Sequence, residues 1–231
     1  MRIPLFIEFK GKKVLIIGGG GVGTFRAKKF LNAGAKVSVL SLGFSDELKE
    51  LEKQGKVKLI KGDASDTDLL ERLIKDNDLV VVALPTLKLN DKIVSIAKKY
   101  KTLVNLANDA KKTEVVIPFE GEFEGIRFAV TTEGKSGIVA RKVKETFQKV
   151  LEKDEEIVYY LKALEHLKNY MKSHNVPIQL RMKLYFIISS DEEFRSLVKK
   201  GDVNGARALA EKLVEEYVKG IRKIDVGGIQ F

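Results

Sequence analysis

Short unbroken apolar runs alternate with amphipathic stretches along the first half of the chain, and the clearest run comes early. Val14-Leu15-Ile16-Ile17 are four consecutive apolar residues, the pattern of a strand buried on both faces of a parallel sheet. Glycines end it at Gly18 to Gly21. The stretch from Thr24 to Leu31 then places Ala27, Phe30 and Leu31 on one helical face, until Asn32-Ala33-Gly34-Ala35 stops it. Lys36 to Leu40 is the next strand, and Ser45 caps a helix over Asp46 to Gln54 with acids in its first turn. A short strand, Val57 to Ile60, and a short helix, Asp68 to Ile74, lead to the second strong apolar run, Leu79 to Leu84, which ends at Pro85-Thr86. A helix over Asn90 to Tyr100, with Ile93, Val94, Ile96 and Ala97 inward, and a strand over Leu103 to Ala107 complete the alternation. Ile3 to Phe9 is either a further strand or an arm lying on the sheet.

Strands alternating with helices predict an α/β fold, a Rossmann-type doubly wound parallel sheet. Beyond it the pattern changes. Val115 to Pro118 and Ile126 to Thr132, separated by Phe119 to Gly125, read as a small strand extension, and Glu133 to Gly137 as a loop. From Ile138 onward the pattern is helical, interrupted around His174 to Pro177 and at Ser189-Ser190, which makes a mostly helical C-terminal domain. The expected division is therefore residues 1–113 for nucleotide binding, 114–137 for the strand extension with a dimerisation role, and 138–231 for the helices.

Composition narrows the classes. With no cysteine, disulfides, thiolate metal sites and cysteine nucleophiles are excluded, which fits a reducing, cytoplasmic interior. The first residues carry charge too soon for a signal peptide, and no apolar run approaches membrane-spanning length. The net charge of +10 is spread along the chain without a basic tail, which argues against nucleic acid and for a solvated lysine surface around a cleft that draws in an anionic small molecule.

The candidate chemistry follows from the pattern. Gly18, Gly20 and Gly23 fit G-x-G-x-x-G, in which the glycines serve a tight turn, close approach of backbone to pyrophosphate, and packing of helix on strand. Gly21 and Val22 complete the loop, and the helix amides that follow face phosphate. Ligands of such sheets bind beyond the carboxyl ends of the strands, which selects the glycine loop, Ser41, Leu84-Pro85 and Asn105 to Asp109. Ser41 stands where NAD-binding folds carry a ribose-binding acid, and with no Arg nearby for a 2′-phosphate the balance favours NAD as cofactor. Gly134-Lys135-Ser136 is no P-loop, because Ala129 occupies the place of that motif's first glycine. Lys135 and Ser136 either bind substrate carboxylates or belong to an ordinary turn. Asp109 is either an active-site acid or the start of an Asx turn. His166 and His174 lack a metal-ligand pattern and read as surface histidines, so no metal site is expected.

Taken in order, P-L-F at 4 to 6, the glycine loop with Arg26-Ala27-Lys28, Leu89-Asn90, V-N-L-A at 104 to 107, Ile117-Pro118, and T-E-G-K-S-G at 132 to 137 with Ala140-Arg141 resemble the precorrin-2 dehydrogenase and sirohydrochlorin ferrochelatase family, the N-terminal part of siroheme synthases. The resemblance covers Ile3 to about Phe147. It implies oxidation of precorrin-2, an anionic tetrapyrrole, by NAD in siroheme biosynthesis, insertion of ferrous iron as a substrate in some members, and a homodimer. It also implies a substrate contact at Ser136, beside which Lys135 of the same loop and Asn105 at the strand end are counted as substrate-binding candidates. The family has Asp where this chain has Asn108, so either Asp109 takes over the acid/base role or that chemistry, chelation above all, is weakened here. Leu84-Pro85-Thr86 likewise replaces a usual Thr-Asp-Asp. A non-catalytic dinucleotide- or tetrapyrrole-binding protein is the competing reading, and Asn108 is the residue in its favour.

Overall fold

The computed structural model describes residues 2–223, so the last eight positions of the expected helical domain lie outside the described residues. Two compact units divide the chain: Met1–Phe119 with Val130–Arg141, and Glu120–Ala129 with Lys142–Phe231.

The first unit is built on five parallel strands: β1 (Lys13–Ile17), β2 (Lys36–Ser41), β3 (Val57–Lys61), β4 (Leu79–Val82) and β5 (Leu103–Leu106), in the order β3-β2-β1-β4-β5. Four helices connect them: α1 (Gly21–Asn32), α2 (Asp46–Lys53), α3 (Thr67–Lys75) and α4 (Asn90–Tyr100). The apolar run of β1 is buried throughout because alternate side chains serve opposite faces. Leu15 and Ile17 pack with Leu70, Ile74, Ile93 and Ala97 of α3 and α4, whereas Val14 and Ile16 pack with Ala27, Phe30 and Leu48 of α1 and α2. Each such side chain contributes roughly 1.5–3 kcal/mol of burial. Helix α1 ends as its sequence requires: Gly34 takes φ +77°, and Ala35 N–H reaches back to Phe30 O (3.0 Å) while Gly34 N–H meets Leu31 O (2.9 Å).

One open alternative is resolved and one expected strand is absent. Ile3 to Phe9 takes the form of an arm, with Phe9 edge-on to Phe30 at 5.0 Å. Val115 to Pro118, expected as a strand, is irregular. Val115 and Ile117 lie on the same apolar face as Phe9, and the backbone is held by Val115 N–H to Val104 O (2.9 Å) and Asn105 Nδ2 to Val115 O (2.7 Å). Its β-branched side chains thus close the edge of the core, and Pro118 has no N–H with which to extend a ladder.

In the second unit the strand pair is β6 (Phe119–Phe123) and β7 (Ile126–Val130), joined by Glu124 and Gly125, both at positive φ. A two-residue connection of this kind closes an antiparallel hairpin. Gln148 of α5 (Gly137–Lys153) pins it by donating to Glu122 O (2.9 Å), and Phe128 meets Phe147 edge-on. Four more helices, α6 (Glu155–Ser173), α7 (Ile178–Ser190), α8 (Glu192–Lys199) and α9 (Val203–Val218), enclose a separate core that includes Leu167, Met171, Leu184, Phe194 and Leu213. Asp154, Asp191 and Asp202 each cap the following helix through its third amide. The break expected at Ser189-Ser190 falls at Asp191 instead, where the C-cap of α7 is also the N-cap of α8; Ser189, still helical, donates its hydroxyl to Phe186 O (2.9 Å).

Candidate functional site

The chain runs from β1 outward to β2 and β3, then crosses back to β4, so the strand order reverses between β1 and β4. In an open parallel sheet the crevice beyond their carboxyl ends is the binding place. Gly18 leaves β1 at φ +117°, and a Cβ there would stand 2.5 Å from Ala83 O at the end of β4. A Cβ at Gly23 would collide with Gly18 O, and one at Gly19 with Gly43 O. At Gly20 and Gly21 a Cβ would meet nothing within 4 Å. The glycines therefore divide into those that let backbone pack on backbone and those that keep a space open. That space lies over the start of α1, whose first-turn amides have no partner within the helix and whose first turn carries no acid. This is the donor set for a pyrophosphate, and the residues fit a nicotinamide dinucleotide.

Val22 is exposed at the same helix start. Ser41 ends β2, and the loop after it is tied to the glycine turn by contacts that sequence reading assigned only to a helix cap. Ser45 N–H donates to Gly19 O (3.0 Å), Ser45 Oγ pairs with Thr24 Oγ1 (2.8 Å), and it accepts from Leu48 N–H (3.2 Å). A hydroxyl at each end of this pair was the available signal, but the 21-residue separation hides it. Strand register also places Lys61 of β3 opposite Ser41, a cation the sequence alone did not bring there. Arg26 lies one turn into α1 with a buried Nε that lacks a partner, and burial pushes its guanidinium below its ordinary pKa.

Beyond β4, Leu84 is half-buried and Pro85 exposed. Asn108, past the end of β5, donates from Nδ2 to Leu84 O and to Thr86 O (3.0 Å each), while its Oδ1 accepts from Asn90 Nδ2 (3.0 Å). Asp109 accepts through Oδ1 from the N–H groups of Lys111 (3.1 Å) and Lys112 (3.3 Å), an Asx turn. Asn105 is buried and spends its Nδ2 on Val115 O, with Oδ1 unpartnered. In the T-E-G-K-S-G loop, Ser136 Oγ accepts from Val139 N–H (3.3 Å) at the start of α5, its own N–H donates to Thr132 Oγ1 (2.9 Å), and Lys135 is exposed. This loop reaches the Asp109 turn. Gly134 abuts Ala110, and Arg2 binds Glu133 (2.6 Å), Ala110 O (3.0 Å) and Thr113 O (2.7 Å) at once. Arg2 was not singled out from sequence, because its partners are 108 to 131 positions away.

The histidines lie in the helical unit. His166 Nε2 meets Glu211 Oε1 at 2.6 Å, and His174 Nδ1 lies 3.0 Å from Tyr170 O. Among the described residues no three His, Cys, Asp or Glu side chains gather to hold a metal ion.

Known proteins resemble this chain in sequence and fold. The family described as "Putative NAD(P)-binding" matches residues 5–119. A "Putative precorrin-2 dehydrogenase" of Methanocaldococcus jannaschii is 29% identical over 202 residues, covering 86% of this chain and 95% of the relative. A precorrin-2 dehydrogenase of Methanosarcina barkeri is 30% identical over 193 residues, 82% of this chain and 84% of the relative. The solved structure of SirC, a precorrin-2 dehydrogenase, matches with a TM-score of 0.66 at 26% identity, covering 91% of this chain and 100% of the other. Since these matches continue through the helices beyond the sheet, they are more than a shared nucleotide fold, and the chain belongs to the precorrin-2 dehydrogenase family.

Proposed function

We propose that this protein oxidises precorrin-2 to sirohydrochlorin with NAD, in the formation of siroheme. The observation that carries the reading is the open space over Gly20 and Gly21 at the crevice between β1 and β4, in a chain of this family. Nicotinamide supplies the hydride acceptor when bound. The chain's own residues hold and orient: the amides of Gly21 to Gly23 receive the pyrophosphate, Ser41 and its tied loop take the adenosine ribose, and Leu84-Pro85 form the wall on the other side. The substrate's carboxylates are met by a basic protein with Lys135 at the T-E-G-K-S-G loop, and Ser136 holds that loop in shape. Oxidation releases a hydride and a proton, and Asp109 is the carboxylate at the strand end positioned to accept the proton through Oδ2, since Oδ1 is engaged in the turn.

The proposal is confined to oxidation. Inserting ferrous iron requires removing protons from pyrrole nitrogens; the carboxamide of Asn108 has no basic atom for that, which leaves the task to Asp109, already assigned the proton of the oxidation. NAD is preferred to NADP because Ser41 to Ser45 bring no cation to the ribose; Lys61 is the one neighbour in register, and the ratio of turnover with the two cofactors in Lys61→Ala tests its part. A homodimer belongs to this reading, supported by exposed Phe147 and Val150 on α5 and checked by sedimentation, and a cytoplasmic location is proposed with it. Among the described residues no helix is long and apolar enough to cross a membrane.

Anaerobic incubation with precorrin-2 and NAD tests the whole proposal. Stoichiometric NADH and the sirohydrochlorin spectrum are expected. Tight binding of both ligands without NADH would favour the second reading, a tetrapyrrole-binding protein without redox chemistry, for which Asn108 is the specific observation.

A further inference from the structure

Asn108 sits where three polar groups converge, and the chemistry of those groups fixes how its amide must lie. The backbone oxygens of Leu84 and Thr86, each 3.0 Å from one side-chain atom of Asn108, can only accept. That atom must be the NH2. Its other side-chain atom is therefore the oxygen, and the group 3.0 Å from it on Asn90 must be an NH2 in turn. Asn90 is only 1% exposed and opens α4, so its own amide cannot turn away, and its Oδ1 remains buried without a partner. A buried polar atom left unpaired is a cost that needs an explanation, and the orientation forced on Asn90 by Asn108 supplies it.

The clamp acts on a particular piece of backbone. Leu84 follows Ala83, whose carbonyl lies against the glycine turn at Gly18, so residues 84 to 86 form the side of the crevice opposite β2. With pyrophosphate over the glycine loop and adenosine over the end of β2, the nicotinamide half falls on this side. We infer that Asn108, oriented by Asn90, is a positioning residue that pins Leu84 O and Thr86 O and so fixes the crevice wall against which the nicotinamide ring is held. The inference rests on the dehydrogenase reading for its effect on turnover, but not for the clamp itself. It also gives the amide at this position a reason of its own. A carboxylate has no hydrogen to donate and would face two carbonyl oxygens at 3.0 Å.

Asn108 is partly exposed, so substitutions there leave the sheet and its core untouched. Two variants separate the clamp from a general loss of structure. In Asn108→Ala the donors are gone at every pH. In Asn108→Asp they are gone and replaced by repulsion above the carboxyl pKa, and one donor returns when the carboxyl is protonated. At neutral pH both variants are expected to lose at least tenfold in kcat with NAD and precorrin-2, because a misplaced ring loses orientation. ADP-ribose, which lacks the nicotinamide, should bind within about twofold of wild type, its affinity measured by titration calorimetry. The deficit of Asn108→Asp relative to Asn108→Ala should shrink as pH falls toward the carboxylate range. Amide hydrogen exchange over residues 83–90 should quicken in both variants while the glycine loop exchanges as before. Wild-type turnover in either variant, an equal loss of ADP-ribose affinity, or unchanged exchange over 83–90 would overturn the inference. If the wild-type protein produces no NADH, the dehydrogenase reading has failed, and the exchange measurement still decides whether the clamp exists.

Discussion

Replacing Gly20 by valine tests the division of labour among the glycines. Gly20 has φ −83° and ψ −168°, an extended conformation open to any L-residue, and its Cβ would meet no protein atom within 4 Å. Valine is a poorer helix N-cap than glycine by roughly 0.5–1 kcal/mol. Removing glycine from the unfolded chain returns about 0.4–1 kcal/mol. The two nearly cancel, and for a chain of this length the melting temperature should move by no more than about 2–4 °C. Ligand binding is another matter. The isopropyl group fills the space in front of the first-turn amides of α1, displacing a pyrophosphate from at least two charge-assisted hydrogen bonds of about 1.5–3 kcal/mol each. The sum, about 3–6 kcal/mol, corresponds to a loss of roughly 10² to 10⁴ in NAD affinity. Gly18→Ala is the counterpart: at φ +117° with a Cβ 2.5 Å from Ala83 O, it should lower the melting temperature sharply, because the obstructing atom is backbone. Titration calorimetry and thermal melts of the two variants give the answer. Gly20→Val that binds NAD within threefold of wild type, or that melts 10 °C lower, would refute the reasoning.

Asp109→Asn keeps an Oδ1 for the N–H groups of Lys111 and Lys112 while removing the charge, so melting should be unchanged and single-turnover oxidation at least tenfold slower; an unchanged rate removes Asp109 from the proton transfer. Affinity for the polycarboxylate substrate should weaken with ionic strength more steeply than affinity for NAD, given the net charge of +10, and equal slopes in binding titrations at increasing salt would count against a carboxylate-binding cleft. Glu71 is held below the usual carboxylate pKa by hydrogen bonds from Lys99 and Tyr100. The lowered value means its stabilisation is present above the unfolded pKa near 4.5 and disappears as pH falls through the folded one. Wild type should therefore melt above Glu71→Gln at neutral pH, with the gap closing in acid, and a gap that persists at pH 2 would exclude the ion pair as its source.

What the sequence disclosed depended on the range over which each signal acts. Strands buried on both faces announce themselves as apolar runs, and the glycine turn as a spacing, so β1 to β5 and the nucleotide loop were legible from local pattern. At Val115 to Pro118 the same logic misled, since high β-propensity served to cover an apolar edge. The true strand, Phe119-Glu120-Gly121-Glu122-Phe123, alternates with period two but carries only two large apolar residues. At the site, Asp109 and Ser136 could be located, yet the bonds they make were open until the backbone was known. The Asn90–Asn108 and Thr24–Ser45 pairs were out of reach altogether, because they join residues 18 and 21 apart that only strand order and register bring together. Asn108 read from sequence is a missing acid; in three dimensions it is a donor in use.

The reach of Arg2 bears on how the first unit is made. Its guanidinium joins Ala110 and Thr113 to Glu133, and Gly134 closes on Ala110 beside it. During synthesis Arg2 emerges long before these partners, so the sheet can form while this clasp waits for residues 130–141 to leave the ribosome. A recombinant fragment ending at Phe119, where the nucleotide-binding match stops, would contain every strand of the sheet and the bonds from Arg2 to Ala110 and Thr113, but not Glu133 or Gly134, which close the clasp from the other side. Such a fragment should be cleaved faster at Arg2 and the 109–113 turn than one extended to Arg141, because only the longer one supplies Glu133 and Gly134.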